Sequence, residues 1–89
     1  MRQGYLLEEA RPNPAAAATT IRFVTSKRGH VRLSVVDERG SVVAVLADRT
    51  VETGEHTATF DATNLGAGIY FTRLEADGVV LTGKVVVAK

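Results

Sequence analysis

The sequence has no cysteine and no tryptophan, and it has few aromatic residues of any kind. Without cysteine, the chain can form neither a disulfide framework nor a thiolate metal site. Three Phe and two Tyr are too few for a platform that stacks the bases of single-stranded nucleic acid. The same scarcity leaves little support for a carbohydrate-binding surface, which usually presents exposed aromatic rings.

The sequence also lacks an excess of one charge and any long apolar run. Eleven Lys and Arg residues face ten Asp and Glu residues, so the net charge is +1. Binding to nucleic acid or to a membrane surface needs a basic excess on one face, and this balance supports neither function. No apolar segment approaches the roughly 20 residues of a membrane-spanning helix, and no signal-peptide core follows Met1. If the protein is exported, we expect that its export information lies elsewhere or was removed with a larger parent protein.

Short strands are the main pattern that is present. The 89 residues suffice for one domain, and apolar residues recur mainly with a period of two between turn signals. Residues 19–24 alternate in this way, and Val31, Leu33 and Val35 share one face of the next strand. We interpret residues 48–54 as a polar connection between strands. The pattern predicts an all-β fold of six to seven strands without a helix.

Turn residues divide these strands. Residues 37–40 begin with Asp37 and end with Gly40, which predicts a type I turn with a glycine bulge. Asp77-Gly78 predicts a two-residue hairpin of type I′, because both residues tolerate positive φ. The last strand should therefore pair with the strand before it.

A tyrosine corner is the most specific local signal. Leu65, Gly68 and Tyr70 have the order found where a Greek-key β-sandwich turns into a strand. There the tyrosine ring covers the end of the core and its hydroxyl bonds to backbone a few residues upstream. Gly68 would let the chain turn without a Cβ clash. We therefore predict an immunoglobulin-like antiparallel β-sandwich with Greek-key topology.

The chain divides into two parts on this interpretation. Residues 1–18 form a lead-in, with a short strand at residues 5–8 followed by a Pro/Ala loop. Pro12-Asn13-Pro14 cannot lie in the middle of a sheet because proline has no N–H to donate. Residues 19–89 form the sandwich. The sequence leaves open whether the lead-in strand pairs within its own molecule or with a neighbour.

No constellation of residues indicates catalysis or a cofactor. His30 and His56 have no third ligand at a recognisable spacing, and no serine stands in a nucleophile elbow. We interpret His30 as exposed and His56 as a partly buried residue of a strand, in phase with Ala58 and Phe60. We predict no enzymatic activity, no cofactor and no metal site. A weak calcium site remains possible because several carboxylates lie in loops, although the sequence lacks the dense D-x-D-x-D pattern of a strong site. These carboxylates belong to Asp37, Glu38, Asp48, Asp61 and Asp77.

The final strand is the strongest candidate for recognition. Residues 83–89 are β-branched, apolar and uncharged apart from two lysines. Such a strand at a sheet edge offers its backbone to a strand of another chain. In the centre of a sheet it would be covered on both sides. The sequence does not decide between these two positions.

Taken in order, these segments resemble the C-terminal sorting domain of type IX secretion cargo and the similar Ig-like domain of flagellar hook-capping proteins. The resemblance covers residues 5–89. It rests on the lead-in that ends in Pro12-Asn13-Pro14, on Thr19-Thr20-Ile21-Arg22-Phe23, on residues 29–35 and 37–40, on Gly54-Glu55-His56, Phe60-Asp61 and Gly68-Ile69-Tyr70-Phe71, and on Lys84 and Lys89. The family often continues with Phe-Asn-Pro, whereas Ala15-Ala16-Ala17-Ala18 follows here.

The resemblance implies a non-catalytic sorting or anchoring module. Such domains direct exported bacterial proteins through the periplasm and the outer membrane to the cell surface, and the outer-membrane secretion machinery recognises them. It implies a structural corner at Leu65, Gly68 and Tyr70. The implied recognition strand comprises Lys84, Val85, Val86, Val87 and Lys89. We expect β-augmentation, in which backbone bonds give affinity and the lysines give orientation.

Two other functions remain open at the level of sequence. The chain could be a structural subunit that joins identical subunits into an extracellular filament by strand complementation. It could also be an accessory binding domain of a secreted enzyme. In each case the partner is a protein or a surface ligand, not a nucleic acid.

Overall fold

Seven strands form the fold of residues 3–89, the part of the chain that the computed structural model describes. Neighbouring strands are antiparallel within two sheets, one with the order β1-β2-β5 and one with the order β4-β3-β6-β7. Described residues include no helix that could cross a membrane. The strands are β1 (Tyr5–Leu7), β2 (Ala18–Thr25), β3 (Gly29–Val36), β4 (Val42–Val51), β5 (Gly54–Asp61), β6 (Gly68–Ala76) and β7 (Val79–Val87).

The core lies between the two sheets and follows from the alternation of side chains. Ile21 and Phe23 of β2 are 0% and 1% exposed, whereas the intervening Arg22 is half-buried on the outer face. Val31 and Leu33 of β3 point inward from the opposite sheet in the same way. Because successive residues of a strand point to opposite faces, one apolar face of each sheet is removed from water. The predicted β-sandwich is confirmed.

Both predicted turns form. The Asp37 carboxylate accepts hydrogen bonds from the backbone N–H groups of Arg39 and Ser41, at 2.9 and 3.0 Å. Gly40 has a φ of 85° at the end of this turn. In the β6–β7 hairpin, Asp77 and Gly78 have φ values of 49° and 75°, as a type I′ turn requires.

The predicted polar connection at residues 48–54 is wrong over most of its length. β4 continues to Val51, and Asp48, Arg49 and Thr50 pair with residues of β3. These three side chains are exposed because β4 is an edge strand of its sheet. An exposed edge strand tolerates polar residues in succession, so it lacks the alternation that identifies a half-buried strand.

The lead-in strand pairs within its own molecule. Tyr5 of β1 lies opposite Thr25 of β2, and Leu7 lies opposite Phe23. Tyr5 is 3% exposed and therefore belongs to the core. After β1 the chain keeps contact with β2 through two backbone hydrogen bonds between Arg11 and Thr20. It then crosses to the other sheet, where the candidate site lies.

Candidate functional site

The last strand, β7, lies at the edge of the four-stranded sheet. Its one strand neighbour among the described residues is β6, with a register that runs from Ala76 opposite Val79 to Gly68 opposite Val87. The position that the sequence left open is therefore an edge position. A strand at an edge can present one row of backbone groups to another chain.

The residues of the predicted recognition strand divide between the two faces of β7. Val85 and Val87 are 0% and 1% exposed, so their side chains belong to the core. Lys84 is exposed and Val86 is half-buried on the outer face. In the folded domain, the two valines hold the strand in place and cannot contact a partner.

The backbone N–H and C=O groups of β7 alternate between the side that faces β6 and the free side of the sheet. Ala76 and Val79 flank the two-residue turn, so they form a hydrogen-bonded pair, and every second pair along the ladder does the same. The N–H and C=O groups of Val85 and Val87 therefore face β6. Those of Val80, Thr82, Lys84 and Val86 face the free side of the sheet.

A short piece of the lead-in covers the C-terminal half of this free side. We call residues 13–15 the edge strap. The Asn13 amide donates to the Lys84 carbonyl at 3.0 Å and accepts from the Val86 N–H at 2.9 Å. Ala15 donates its N–H to the Val86 carbonyl at 2.8 Å and accepts from the Ala88 N–H at 2.9 Å. The outward backbone groups from the Lys84 carbonyl to the Ala88 N–H are thus all paired.

A side chain takes part in this strap. Pro12 and Pro14 flank Asn13 and have no N–H, so this segment cannot pair on both sides as a central strand does. The amide of Asn13 carries a donor and an acceptor, and it replaces one peptide group of a strand. The Thr19 hydroxyl donates to the Pro12 carbonyl at 2.7 Å, and the Ala15 side chain is 0% exposed. These contacts fix the strap at both ends.

Beyond β7, Lys89 is attached to the loop that precedes β6. Its ammonium donates to the carbonyls of Ala62 and Thr63 at 2.8 and 2.7 Å. The hydroxyl and backbone N–H of Thr63, with a smaller contribution from the Lys89 charge, hold the pKa of Asp61 below its ordinary value. The terminal lysine therefore contacts the corner of the sandwich instead of extending into solvent.

The tyrosine corner stands in the same loop. The Tyr70 hydroxyl donates to the Gly66 carbonyl at 2.7 Å, a bond that spans four residues. Leu65 and the Tyr70 ring are half-buried against the core. Gly68 has a φ of 155°, which a residue with a side chain rarely adopts. The structure thus brings the predicted corner and the predicted Lys89 together at one end of the molecule.

The two histidines lie in different sheets and belong to separate contacts. His30 pairs with Asp48 at 2.5 Å on the exposed outer face. His56 is half-buried, with its ring stacked on Phe23 at a centroid distance of 5.3 Å and its Nε2 2.7 Å from the Glu52 carbonyl oxygen. Within residues 3–89, no group of three His, Asp or Glu side chains is placed to hold a metal ion.

Four charged residues on the outer face of the four-stranded sheet form a group of ion pairs. Arg32 reaches Glu75 at 3.3 Å and Asp48 at 3.9 Å, and Arg73 reaches Glu75 at 3.7 Å. Exposed pairs of this kind contribute little to stability. Each carboxylate of this group therefore has a cationic neighbour on the same face.

The sequence indicates β7 as a candidate recognition strand and predicts the corner, but it does not indicate the strap. It places Asn13 and Ala15 in a Pro/Ala loop and suggests no role for them. The available signal is an asparagine side chain, with both a donor and an acceptor, between two prolines that restrict the segment to the edge of a sheet. No sequence signal indicates that its partner lies more than 70 residues away, at Lys84 and Val86.

Comparison with known proteins gives one family match. The family model described as Secretion system C-terminal sorting domain matches residues 10–88. The match includes the edge strap, the corner and all of β7. No curated protein matches the chain.

Proposed function

Because the chain belongs to the family of secretion system C-terminal sorting domains, we propose that it directs the protein that carries it through the outer membrane to the cell surface. The resemblance predicted from sequence is confirmed. Domains of this family are sorting signals for type IX secretion and mark proteins that are exported to the cell surface or secreted. The family is non-catalytic, and we propose that this chain has no enzymatic activity of its own.

We propose that the secretion machinery recognises the outer side of β7 and the residue that follows it. The edge position of β7 is the observation that supports this proposal. Lys84 and Val86 face outward there, while Val85 and Val87 anchor the strand in the core. If a partner binds the backbone of this edge strand, few side chains need to be specific. The lysines can then fix the orientation in which the partner binds.

A reporter fusion tests the sorting function. Residues 3–89 fused to the C-terminus of a periplasmic reporter should appear outside the cell in a host that carries the secretion system. The same fusion should stay in the periplasm of a host without it. Retention in both hosts, with the fusion intact and folded, would contradict the proposal.

Substitutions test the role of the lysines better than deletion of residues 84–89, which would also remove the buried Val85 and Val87. We expect the double variant Lys84→Ala/Lys89→Ala to lose export while it keeps a folded domain. Lys27→Ala is the matched control, because Lys27 is an exposed lysine that pairs with Asp77 at the β6–β7 turn. Export of the double variant at the level of the control would show that the two lysines are not part of the recognition surface.

The two other functions gain no support. Strand complementation in a filament needs a strand that is available to a neighbour, and β1 pairs with β2 of its own molecule. An accessory carbohydrate-binding surface needs exposed aromatic rings, and the Tyr5 side chain is 3% exposed. The remaining aromatic outside the core, Phe71, is half-buried.

A further inference from the structure

We infer that the C-terminal half of the β7 edge is a strand-binding site that the edge strap occupies within the molecule, and that an extended strand of the secretion machinery binds there by displacing the strap. This inference rests on the proposed sorting function. It adds the condition that the strap closes the site in the free domain and must leave it before the strand can bind there.

The strap defines what an occupant of this site must supply. The carbonyls of Lys84 and Val86 each accept one hydrogen bond from the strap. The N–H groups of Val86 and Ala88 each donate one hydrogen bond to it. Alternate residues of a strand running parallel to β7 offer donors and acceptors in this order. Ala15 supplies one such residue with its backbone, and the Asn13 amide imitates the other. The edge strap therefore occupies this part of β7 in the way that a bound strand would.

The strap is a less complete partner than a strand would be. Two of its hydrogen bonds come from a side chain and not from a peptide backbone. Pro12 and Pro14 are exposed, and the one fully buried side chain of the strap is the methyl group of Ala15. The strap therefore contributes only one small apolar side chain to the core, and the ladder between β7 and β6 does not include it.

The other half of the same edge is open. The outward backbone groups of Val80 and Thr82 have no hydrogen-bond partner within residues 3–89, and the Val80 side chain is 42% exposed. These backbone groups are available to a partner strand while the strap is still in place. Extension of that pairing toward Lys84 would then replace the strap one residue at a time. Because binding needs the open form, the apparent affinity falls by the fraction of molecules that are open.

A disulfide that locks the strap tests the displacement. Ala15 and Val87 are partners in a parallel β-bridge and are both buried, and adjacent strands lie close enough for a disulfide. The chain has no cysteine of its own, so Ala15→Cys/Val87→Cys can form a single bond in the oxidising periplasm. We expect the locked reporter fusion to accumulate in the periplasm as folded protein, with loss of export. The two single-cysteine variants control for the substitutions themselves, and the locked fusion should be exported less than either of them.

The controls separate this inference from the proposed function. Bond formation is measured by thiol alkylation and mass spectrometry, and folding is measured by thermal unfolding of the purified domain. Export of the locked fusion at the level of the single variants would overturn strap displacement and leave the sorting function intact. Failure of the parent fusion and of both single variants to be exported would instead count against the sorting function.

Amide hydrogen exchange provides a second test that does not depend on export. In Asn13→Ala, the Val86 amide loses its acceptor, so we expect it to exchange faster than in the parent chain while amides of β6 remain protected. Asn64→Ala is the matched control, since Asn64 is exposed and makes no side-chain hydrogen bond within residues 3–89. Equal protection of Val86 in the two variants would show that Asn13 does not hold the edge, and would overturn the inference.

Discussion

Single side chains connect distant parts of this domain where the backbone cannot. Asn13 completes the edge of β7 because its amide presents the same donor and acceptor as a peptide group. Lys89 joins the end of the chain to the carbonyls of the corner loop. Tyr70 closes the same loop with its hydroxyl. Each contact satisfies backbone groups that no strand reaches, which is why polar residues are specific at these positions.

The hydroxyl of Tyr70 provides a test of the corner. We expect Tyr70→Phe to lower the free energy of unfolding by about 1 kcal/mol, the net value of a typical hydrogen bond, because the Gly66 carbonyl loses its donor. Urea unfolding measures this change. Tyr5→Phe is the matched control, because the Tyr5 hydroxyl makes no hydrogen bond within residues 3–89. Equal losses in the two variants would contradict the assigned role of Tyr70.

Asp37 makes stability depend on pH. The Ser41 backbone N–H, assisted by the backbone and side chain of Arg39, lowers the pKa of Asp37 from its ordinary value of 3.8. A lowered pKa in the folded state means that the stabilisation is complete above the unfolded-state value and is lost as pH falls through the folded-state value. Asp61 and Asp77 have lowered pKa values too. We therefore expect the unfolding temperature to fall as the pH drops below 3.8.

The Asp37→Asn variant isolates this contribution. Its amide oxygen can still accept the turn hydrogen bonds but cannot be protonated in this range, so its unfolding temperature should fall less steeply with acid than that of the parent. Glu38→Gln serves as the control, since the adjacent Glu38 carboxylate makes no hydrogen bond within residues 3–89 and is exposed. Parallel curves for Asp37→Asn and the parent chain would refute the assignment.

At the scale of elements, β7 has two tasks that its alternation keeps apart. Its inward valines belong to the core, and its outward residues and backbone form the proposed recognition surface. A partner can therefore contact the strand without disturbing the sandwich. This separation predicts that substitutions on the two faces affect different measurements.

A pair of valines on this strand tests the separation. Val85→Ala should lower the free energy of unfolding by about 2–3 kcal/mol, because two buried methyl groups and their contacts are lost. Val80→Ala, at a side chain that is 42% exposed, should cost less than about 0.5 kcal/mol. Chemical denaturation measures both values. Similar costs for the two valines would mean that the assignment of their faces is incorrect.

Some strands could be predicted from the sequence and others could not. The β6–β7 hairpin could be predicted because Asp77-Gly78 suits one turn type and that turn fixes the pairing. The second half of β4 could not, because Asp48, Arg49 and Thr50 face solvent and break the alternation. Their strand conformation comes from pairing with β3, which is a tertiary contact.

At the scale of the whole molecule, the lead-in is part of the sandwich. It contributes β1 to one sheet and the edge strap to the other, and Tyr5, Ala10 and Ala15 are buried in the core. The division between residues 1–18 and 19–89 remains a prediction about how the chain is organised. The contacts of the lead-in indicate that the second part depends on the first for stability.

Truncation tests this dependence. We expect a chain of residues 19–89 to unfold at a lower urea concentration than the parent, because it loses buried side chains and exposes the edges of β2 and β7. A chain of residues 4–89 keeps β1 and the strap and should match the parent. If residues 19–89 had the same unfolding midpoint as the parent, the lead-in would be an appendage and not a structural part.

Sequence alone determined the all-β class, the two turns, the tyrosine corner and the family, because each depends on residues that are neighbours in the chain or on their order. The edge position of β7, the burial of Val85 and Val87, and the cover that Asn13 and Ala15 provide were decided by the tertiary structure. These features require residues near the start and the end of the chain to meet across two sheets. Such a meeting is fixed by how the layers pack, and no local pattern of residues encodes it.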